Sequence, residues 1–242
     1  MISQSLIKEI WSDSPCDYRI KLMLNGEQSE PSLSMLYGLY FEHHLIGGTR
    51  DGSEPKLPTL KSGKLTKAQE DLDALVVQAK NAMDGHNIVI EECQPFYKWE
   101  DVSGHLDFVG TFDDEKAIFD VKWTATKETD RYHGWGDISN KFSAKLQATH
   151  YVYLYMMCKG KHVPFYFLIF GNSGWMKFAK FEISAHELKE HEKTISIAQN
   201  KLFDMELNGF NPSPHRNKCR SCYFKNSCSF KSDLPIIEKF TI

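Results

Sequence analysis

Gly104-His105-Leu106-Asp107-Phe108-Val109-Gly110 is followed, across the polar turn Asp113-Asp114-Glu115-Lys116, by Ala117-Ile118-Phe119-Asp120-Val121-Lys122. Both halves read as strands, since apolar and aromatic residues bracket a turn-forming polar run. A two-residue turn at Asp113-Asp114 sets Asp107 opposite Asp120, whereas a four-residue loop sets it opposite Lys122. In either register Asp107, Asp120 and Lys122 project from one face, because strand side chains alternate with period two. The hairpin thus gathers two carboxylates and an ammonium. Paired acids are the oxygen ligands that Mg²⁺ or Mn²⁺ takes, and a neighbouring lysine can orient a water or steady a phosphate. The competing reading is a solvated face with cross-strand Asp–Lys pairs. The company of Asp120 and Lys122, in Ala-Ile-Phe-Asp-Val-Lys-Trp, weighs against it: a charge in a buried strand is costly unless it is paired or ligating.

A chain of 242 residues fits one large domain, and its 13% aromatic content supports a sizeable core. The net charge of −3 gives no global basic signature, so a nucleic-acid partner needs a local patch. One lies near the C-terminus, where Arg216, Lys218, Arg220, Lys225 and Lys231 fall in a stretch without an acid. Lys127, Arg131, Lys141 and Lys145 add further positive charge. The N-terminus lacks a basic segment ahead of an apolar one, and no apolar run is long enough to cross a membrane. The expectation is a cytoplasmic, reducing location without a membrane partner, where clustered cysteines suggest metal binding more than disulfides.

Working outward, residues 3–24 read as helical with a break at Ser12-Asp13-Ser14-Pro15, where Ser14 would cap a second short helix. A helix over 32–46 ends at Gly47-Gly48. Residues 49–64 are loop, 66–84 helix, and 86–99 strand. The long polar stretch 124–141 is of the kind that is often functional. Further helices are expected over 142–157 and 185–207, with a hairpin of 163–170 and 175–183 between them.

Three more groups carry chemistry. Gln147 and Tyr151, four apart, share a helix face; an amphipathic helix with a Gln at its polar edge is the plainer reading. Gly38 is followed by Glu42 and then His43. The glycine would let a neighbouring backbone approach, and Glu42, near the end of an apolar helix, is a candidate third acid. Finally, Cys16 accompanies Cys219, Cys222 and Cys228. Thiolate tetrads hold Zn²⁺ or an iron–sulfur cluster, and the three-plus-one spacing leans toward iron–sulfur. Three cysteines within ten polar, basic residues fit poorly with unrelated buried thiols, a reading that suits Cys93 and Cys158 better.

Taken together these features resemble the PD-(D/E)XK nuclease superfamily, and within it the RecB-like branch with an iron–sulfur cluster: CRISPR-associated RecB-like exonucleases, the AddB nuclease domain and phage exonucleases. Gly104-His105-Leu106-Asp107 matches G-x-x-D, Ile118-Phe119-Asp120-Val121-Lys122-Trp123-Thr124 matches apolar-D-x-K-x-T, and Gln147 with Tyr151 matches Q-x-x-x-Y. The resemblance implies an α/β fold with a central mixed sheet flanked by helices, whose N- and C-terminal segments join at a cysteine metal cluster. It implies a single nuclease domain over 1–242, with 14–24 and 212–230 forming the cluster lobe. The implied activity is Mg²⁺- or Mn²⁺-dependent hydrolysis of DNA phosphodiesters, commonly exonucleolytic, with Asp107 and Asp120 as metal ligands and Lys122 at the water or transition state. Glu42 or His43 would be a further ligand, and Cys16, Cys219, Cys222 and Cys228 would hold a 4Fe-4S cluster, with structural Zn²⁺ as the alternative. Implied partners are DNA that is single-stranded or has free ends, and a helicase, recombinase, CRISPR or phage protein, in DNA repair or recombination. A structure-specific or restriction-like endonuclease and a non-catalytic DNA-binding scaffold are the other readings. The intact Asp107, Asp120 and Lys122 set argues against the scaffold.

Overall fold

The computed structural model describes residues 1–12, 15–27, 31–50, 52–59, 66–130, 135, 138, 141–213, 219, 222–225 and 228–229. They divide into two compact units. One is essentially residues 31–194, and the other combines 4–30 with residues from 195 onward.

The larger unit is built on a five-stranded sheet. Its strands are β1 (Ile88–Cys93), β4 (Phe108–Phe112), β5 (Glu115–Thr124), β6 (Phe165–Gly171) and β7 (Met176–Phe181), adjacent in that order. β5 and β6 run parallel and the other neighbours antiparallel, so the sheet is mixed. Two further strands, β2 (Phe96–Trp99) and β3 (Val102–His105), form a separate antiparallel ladder.

The β4–β5 turn has two residues. Asp113 and Asp114 both adopt positive φ, 48° and 66°, the backbone of a tight hairpin turn whose twist suits the flanking strands. Phe112 therefore pairs with Glu115 and Phe108 with Phe119, and one more step brings Asp107 opposite Asp120.

Two sequence expectations need correction. The stretch 104–110 is not one strand, because β3 ends at His105 and β4 begins at Phe108. Likewise 86–99 splits into β1 and β2. The cause lies at Gln94-Pro95. Gln94 has φ of 51°, its N–H donates to the Asp107 carbonyl, and the Pro95 carbonyl accepts from Leu106 N–H. Both chains thus leave the main sheet together and continue as the small ladder, and Asp107 sits at the crossing.

Alternation along β5 separates two faces. Ala117, Phe119 and Val121 join the core under α3 (Leu33–Ile46) and α4 (Lys67–Gly85), with Phe41, Leu45, Leu72 and Leu75. The Phe108 and Phe119 rings stack there at 4.5 Å. Asp120 and Lys122 alternate to the other face, the side of α5 (Phe142–Lys159). α3 is capped by Ser32, whose side chain accepts from Met35 N–H, and stops at left-handed Gly47 as its glycine predicts.

The last helix, α6 (Ala185–Asn208), begins in this unit. There His191 meets a fully buried His150 of α5: Nδ1 of His150 lies 3.1 Å from Nε2 of His191, and Nε2 of His150 lies 3.2 Å from the Ser103 carbonyl of β3. The carbonyl can only accept, so His150 Nε2 carries the proton and its Nδ1 accepts from His191. Burial keeps both rings neutral, pushing them down to about 4 and about 3 respectively. A neutral relay therefore ties β3 to both helices.

In the smaller unit lie α1 (Gln4–Ile10) and α2 (Asp17–Leu24). α2 starts with Cys16 at its cap position, later than the Ser14-Pro15 start expected, and Ser14 is outside the described residues. No helix among the described residues is long and apolar enough to cross a membrane.

Gly110 pairs with Ile90 beside the register irregularity of β1, and a Cβ there would come within 1.9 Å of the Val89 carbonyl oxygen. Gly110→Ala is expected to cost about 3 kcal/mol or more. The corresponding fall in Tm, on the order of 10 °C, is checked by thermal denaturation.

Candidate active site

Asp107 occupies a ladder position that β4 leaves vacant. Its Oδ2 accepts from Val121 N–H at 2.8 Å, a donor that would otherwise face no strand on that side. Asp120 is 1% exposed. Its Oδ1 accepts from Gln147 Nε2 of α5 at 2.5 Å, and its Oδ2 forms an ion pair with Lys122 Nζ at 2.5 Å. Oδ2 is buried and meets this ammonium alone.

Glu42 of α3 joins these acids. Its Oε1 accepts from Gln94 Nε2 at 2.6 Å, and Gln94 also binds the Asp107 carbonyl through its main chain. Burial, with the charges of Asp107 and Asp120, pushes the Glu42 carboxyl up to about 8. The same two causes, burial and the Asp107 charge, raise Asp120. Burial works against the ammonium of Lys122, but Asp120 and Asp107 outweigh it and hold the lysine protonated.

Tyr151 of α5 is buried beside the same group and pushed up to about 12, by burial first, with Arg50 opposing and Asp120 and Asp107 adding. Gly104 makes room for it: a Cβ there would lie 3.0 Å from Tyr151 Cε1 and 3.3 Å from Leu154. This is a physical reason for glycine three residues before Asp107.

The structure therefore brings Glu42, Asp107, Asp120, Lys122, Gln147 and Tyr151 together. The ring of His43 lies against that of His44 at 5.2 Å. Gly38 does not serve a close approach, since a Cβ there would meet nothing within 4 Å. Two members escape sequence reading. Gln94 is one. The other is Arg50, an exposed residue whose guanidinium Tyr151, Asp107, Glu42 and Asp120 help to hold charged. A lone arginine after Gly47-Gly48 carries no periodicity or motif that would mark it.

In the smaller unit, Cys16, Cys219, Cys222 and Cys228 line one pocket, with Glu9, Arg19, Phe224 and Lys225 among its walls. All four are free thiols. Arg19 pairs with Glu9 at 3.2 Å and lies over the Tyr223 ring at 5.2 Å. Cys93 and Cys158 are not the buried thiols expected: Cys93 is exposed and Cys158 half-buried, and they donate to the Ile46 and Lys98 carbonyls. Among the described residues no group of three or more His, Cys, Asp or Glu is arranged to hold a metal ion. Of the basic residues singled out above, Arg131, Arg216, Lys218, Arg220 and Lys231 lie outside the described residues. Lys145 pairs with Glu187 at 2.7 Å.

The larger unit is thus a mixed sheet with acids and a lysine clustered at a strand crossing. Residues 48–229 match the PD-(D/E)XK nuclease superfamily, and the chain belongs to it. A search of curated proteins found no match. Among solved structures, the chain is similar to a candidate exonuclease of Eubacterium rectale, with 16% identity, a TM-score of 0.69, and coverage of 96% of this chain and 90% of that one. It is also similar to the alkaline exonuclease LHK-Exo of Laribacter hongkongensis, with 13% identity, a TM-score of 0.51, and coverage of 84% and 88%. These likenesses concern the fold.

The acids carry a pH dependence that does not require turnover. Glu42 and Asp120 bind protons more tightly folded than unfolded, so their contribution is complete below the ordinary carboxylate range and is lost as pH rises through the folded values. Without divalent cation, Tm is expected to fall between pH about 6.5 and 8, above the range where the buried histidines titrate. Glu42→Gln should flatten that fall, and Mg²⁺ or Mn²⁺ should raise Tm more at the upper end of the window than at the lower.

Proposed function

We propose that the chain is a divalent-metal-dependent DNA exonuclease with its active site at Asp107, Asp120 and Lys122. The observation that carries the reading is the buried pair of carboxylates, with Asp120 Oδ2 held by the Lys122 ammonium alone. Two buried carboxylates with a single ammonium between them fit a hard divalent cation, which takes oxygen ligands. Asp107 and Asp120 would hold Mg²⁺ or Mn²⁺, with Glu42 as the third acid and His43 as the remaining candidate. The metal would supply charge neutralisation at the phosphate and activation of water.

The protein groups have separate duties. Val121 N–H and Gln147 fix the orientation of the two aspartates, each through one carboxylate oxygen. Gln94 does the same for Glu42. Lys122, charged and without a lone pair, cannot be a ligand. It orients the attacking water or offsets charge that develops on the phosphoryl oxygens. Tyr151 packs against Gly104 and helps exclude water from the acids' inner side.

The pocket of Cys16, Cys219, Cys222 and Cys228 is proposed to hold a 4Fe-4S cluster, with structural zinc as the alternative donor-compatible group. Support for it is that four free thiols from both ends of the sequence line one pocket. Three of the four come from the tail, where the basic residues of the sequence concentrate.

The test is incubation of anaerobically purified protein with end-labelled single- and double-stranded DNA and Mn²⁺ or Mg²⁺. Release of mononucleotides or short products from ends supports the reading. Cutting of closed circular DNA identifies an endonuclease, and binding without hydrolysis a scaffold. Asp120→Asn is expected to lower turnover by about 10³-fold or more. Lys122→Met is expected to lower kcat by about 10²- to 10³-fold with metal affinity unchanged; weaker metal binding at normal kcat would contradict its assigned role. Iron with labile sulfide, lost in Cys222→Ser and retained in Cys93→Ser, supports the cluster. Stoichiometric zinc without sulfide replaces it.

A further inference from the structure

The small β2–β3 ladder has no role in the chemistry above, yet it grows directly out of the site. Gln94, which holds Glu42 and the Asp107 backbone, immediately precedes Pro95 and β2, and Asp107 lies two residues beyond the end of β3. The first rung beyond the Gln94–Asp107 contact is Phe96 opposite His105. Two residues of extended chain place it roughly 7 Å from the acids' backbone. The two rings are in contact, with centroids 4.6 Å apart and planes inclined at 41°. Phe96 is 48% exposed, and His105 is half-buried with no hydrogen bond at Nδ1.

Two cationic residues bear on this aromatic pair. Arg50 acts electrostatically on His105 as well as on the acids, and makes no hydrogen bond or ion pair among the described residues. Lys98, two residues along β2, is exposed. A polyanion whose flat bases alternate with phosphates would favour this arrangement, in which stacking is indifferent to base identity.

We propose that Phe96 and His105 form a stacking platform for the nucleobase next to the scissile phosphate, with Arg50 contacting the backbone phosphate beside it. The substrate class is single-stranded DNA or the frayed end of a duplex, since a paired base cannot offer its face. This inference rests on the nuclease reading for its substrate, while its test reads binding separately from hydrolysis.

The probe is a short single-stranded DNA oligonucleotide carrying 2-aminopurine at successive positions from one end, bound with Ca²⁺ in place of Mg²⁺. Hydrolysis of the same oligonucleotide is measured in parallel with Mn²⁺. Stacking on Phe96 should quench the fluorophore at one position only. Phe96→Ala should abolish that quench and raise Kd and KM by between about 5- and 150-fold, the range of one base stack, with kcat nearly unchanged. Phe96→Tyr should restore both, and an unchanged Tm would show that the exposed ring is not needed for folding. Arg50→Ala should weaken binding at every 2-aminopurine position and reduce the salt dependence of Kd. Normal binding or persistent quench in Phe96→Ala overturns the platform while leaving the nuclease reading intact if the wild type hydrolyses. A Phe96-dependent quench without hydrolysis by the wild type supports the platform and overturns the nuclease reading. Failure of the wild type to bind overturns both.

Discussion

Two carboxylates, Asp107 and Asp120, face each other where one chain crosses between two sheets, and both are almost completely buried. Like charges so placed repel, and burial deprives them of water, so each must be answered by a donor or a cation. The answers are specific: a backbone N–H for Asp107, an amide and an ammonium for Asp120. They fall short of full compensation, as the raised proton affinities of Asp120 and Glu42 record. A site that only needed stability would replace the acids with apolar residues of like size. Retaining an unsatisfied acid pair makes sense where something else supplies the missing charge.

Much of the larger unit can be understood as fixing that pair. The two-residue Asp113-Asp114 turn sets the register that brings Asp107 to Asp120, and a single-residue slip would turn one of them to the opposite face. Stacked Phe108, Phe119 and Tyr166 rings hold the reverse side of the same strands. On the near side, α5 must lie close enough for Gln147 to reach Asp120, and Gly104 permits it by leaving space for Tyr151. The His150–His191 relay secures β3 against α5 and α6 from behind. These contacts are distant in sequence, and each restrains a segment that carries a site residue.

The local part of this was legible in the sequence. Asp-Asp between two apolar runs announces a hairpin, and period two then assigns Asp107, Asp120 and Lys122 to one face whichever register holds. Gln147 and Tyr151 were readable as one helix face, and Glu42 as an acid out of place on an apolar helix. What could not be read is what depends on the chain crossing between sheets. Residues 104–110 and 86–99 each look like one strand because propensity is local, while the break at Gln94 and Asp107 arises from hydrogen bonds between two segments over ten residues apart. Arg50 and Gln94 were missed for the same reason: an isolated polar residue in a loop has no period to betray its target. The expected role of Gly38 failed differently, since a helical glycine can mark a close contact or nothing, and here a methyl group would meet no neighbour.

Charge around the acids gives the arrangement its direction. Glu42, Asp107 and Asp120, if all ionised, carry three negative charges, and Lys122 with Arg50 returns two positive ones. One negative charge remains, which in a poorly solvated site favours holding a proton, in agreement with the raised Glu42. Neither cation can relieve it by entering an acid's coordination sphere, because a charged lysine or arginine has no lone pair to share with a metal. Under the proposed function, a divalent cation turns the excess into one positive charge, and a single phosphodiester then brings the site to neutrality. Each arrival thus makes the next favourable. A bound metal would take the place of the proton that Glu42 favours, and the charge it supplied would favour phosphate. The two protein cations stand on different sides of that balance, Lys122 locked to Asp120 and Arg50 without an ion-pair partner among the described residues, which on the proposal above would leave Arg50 the freer to take the substrate's backbone.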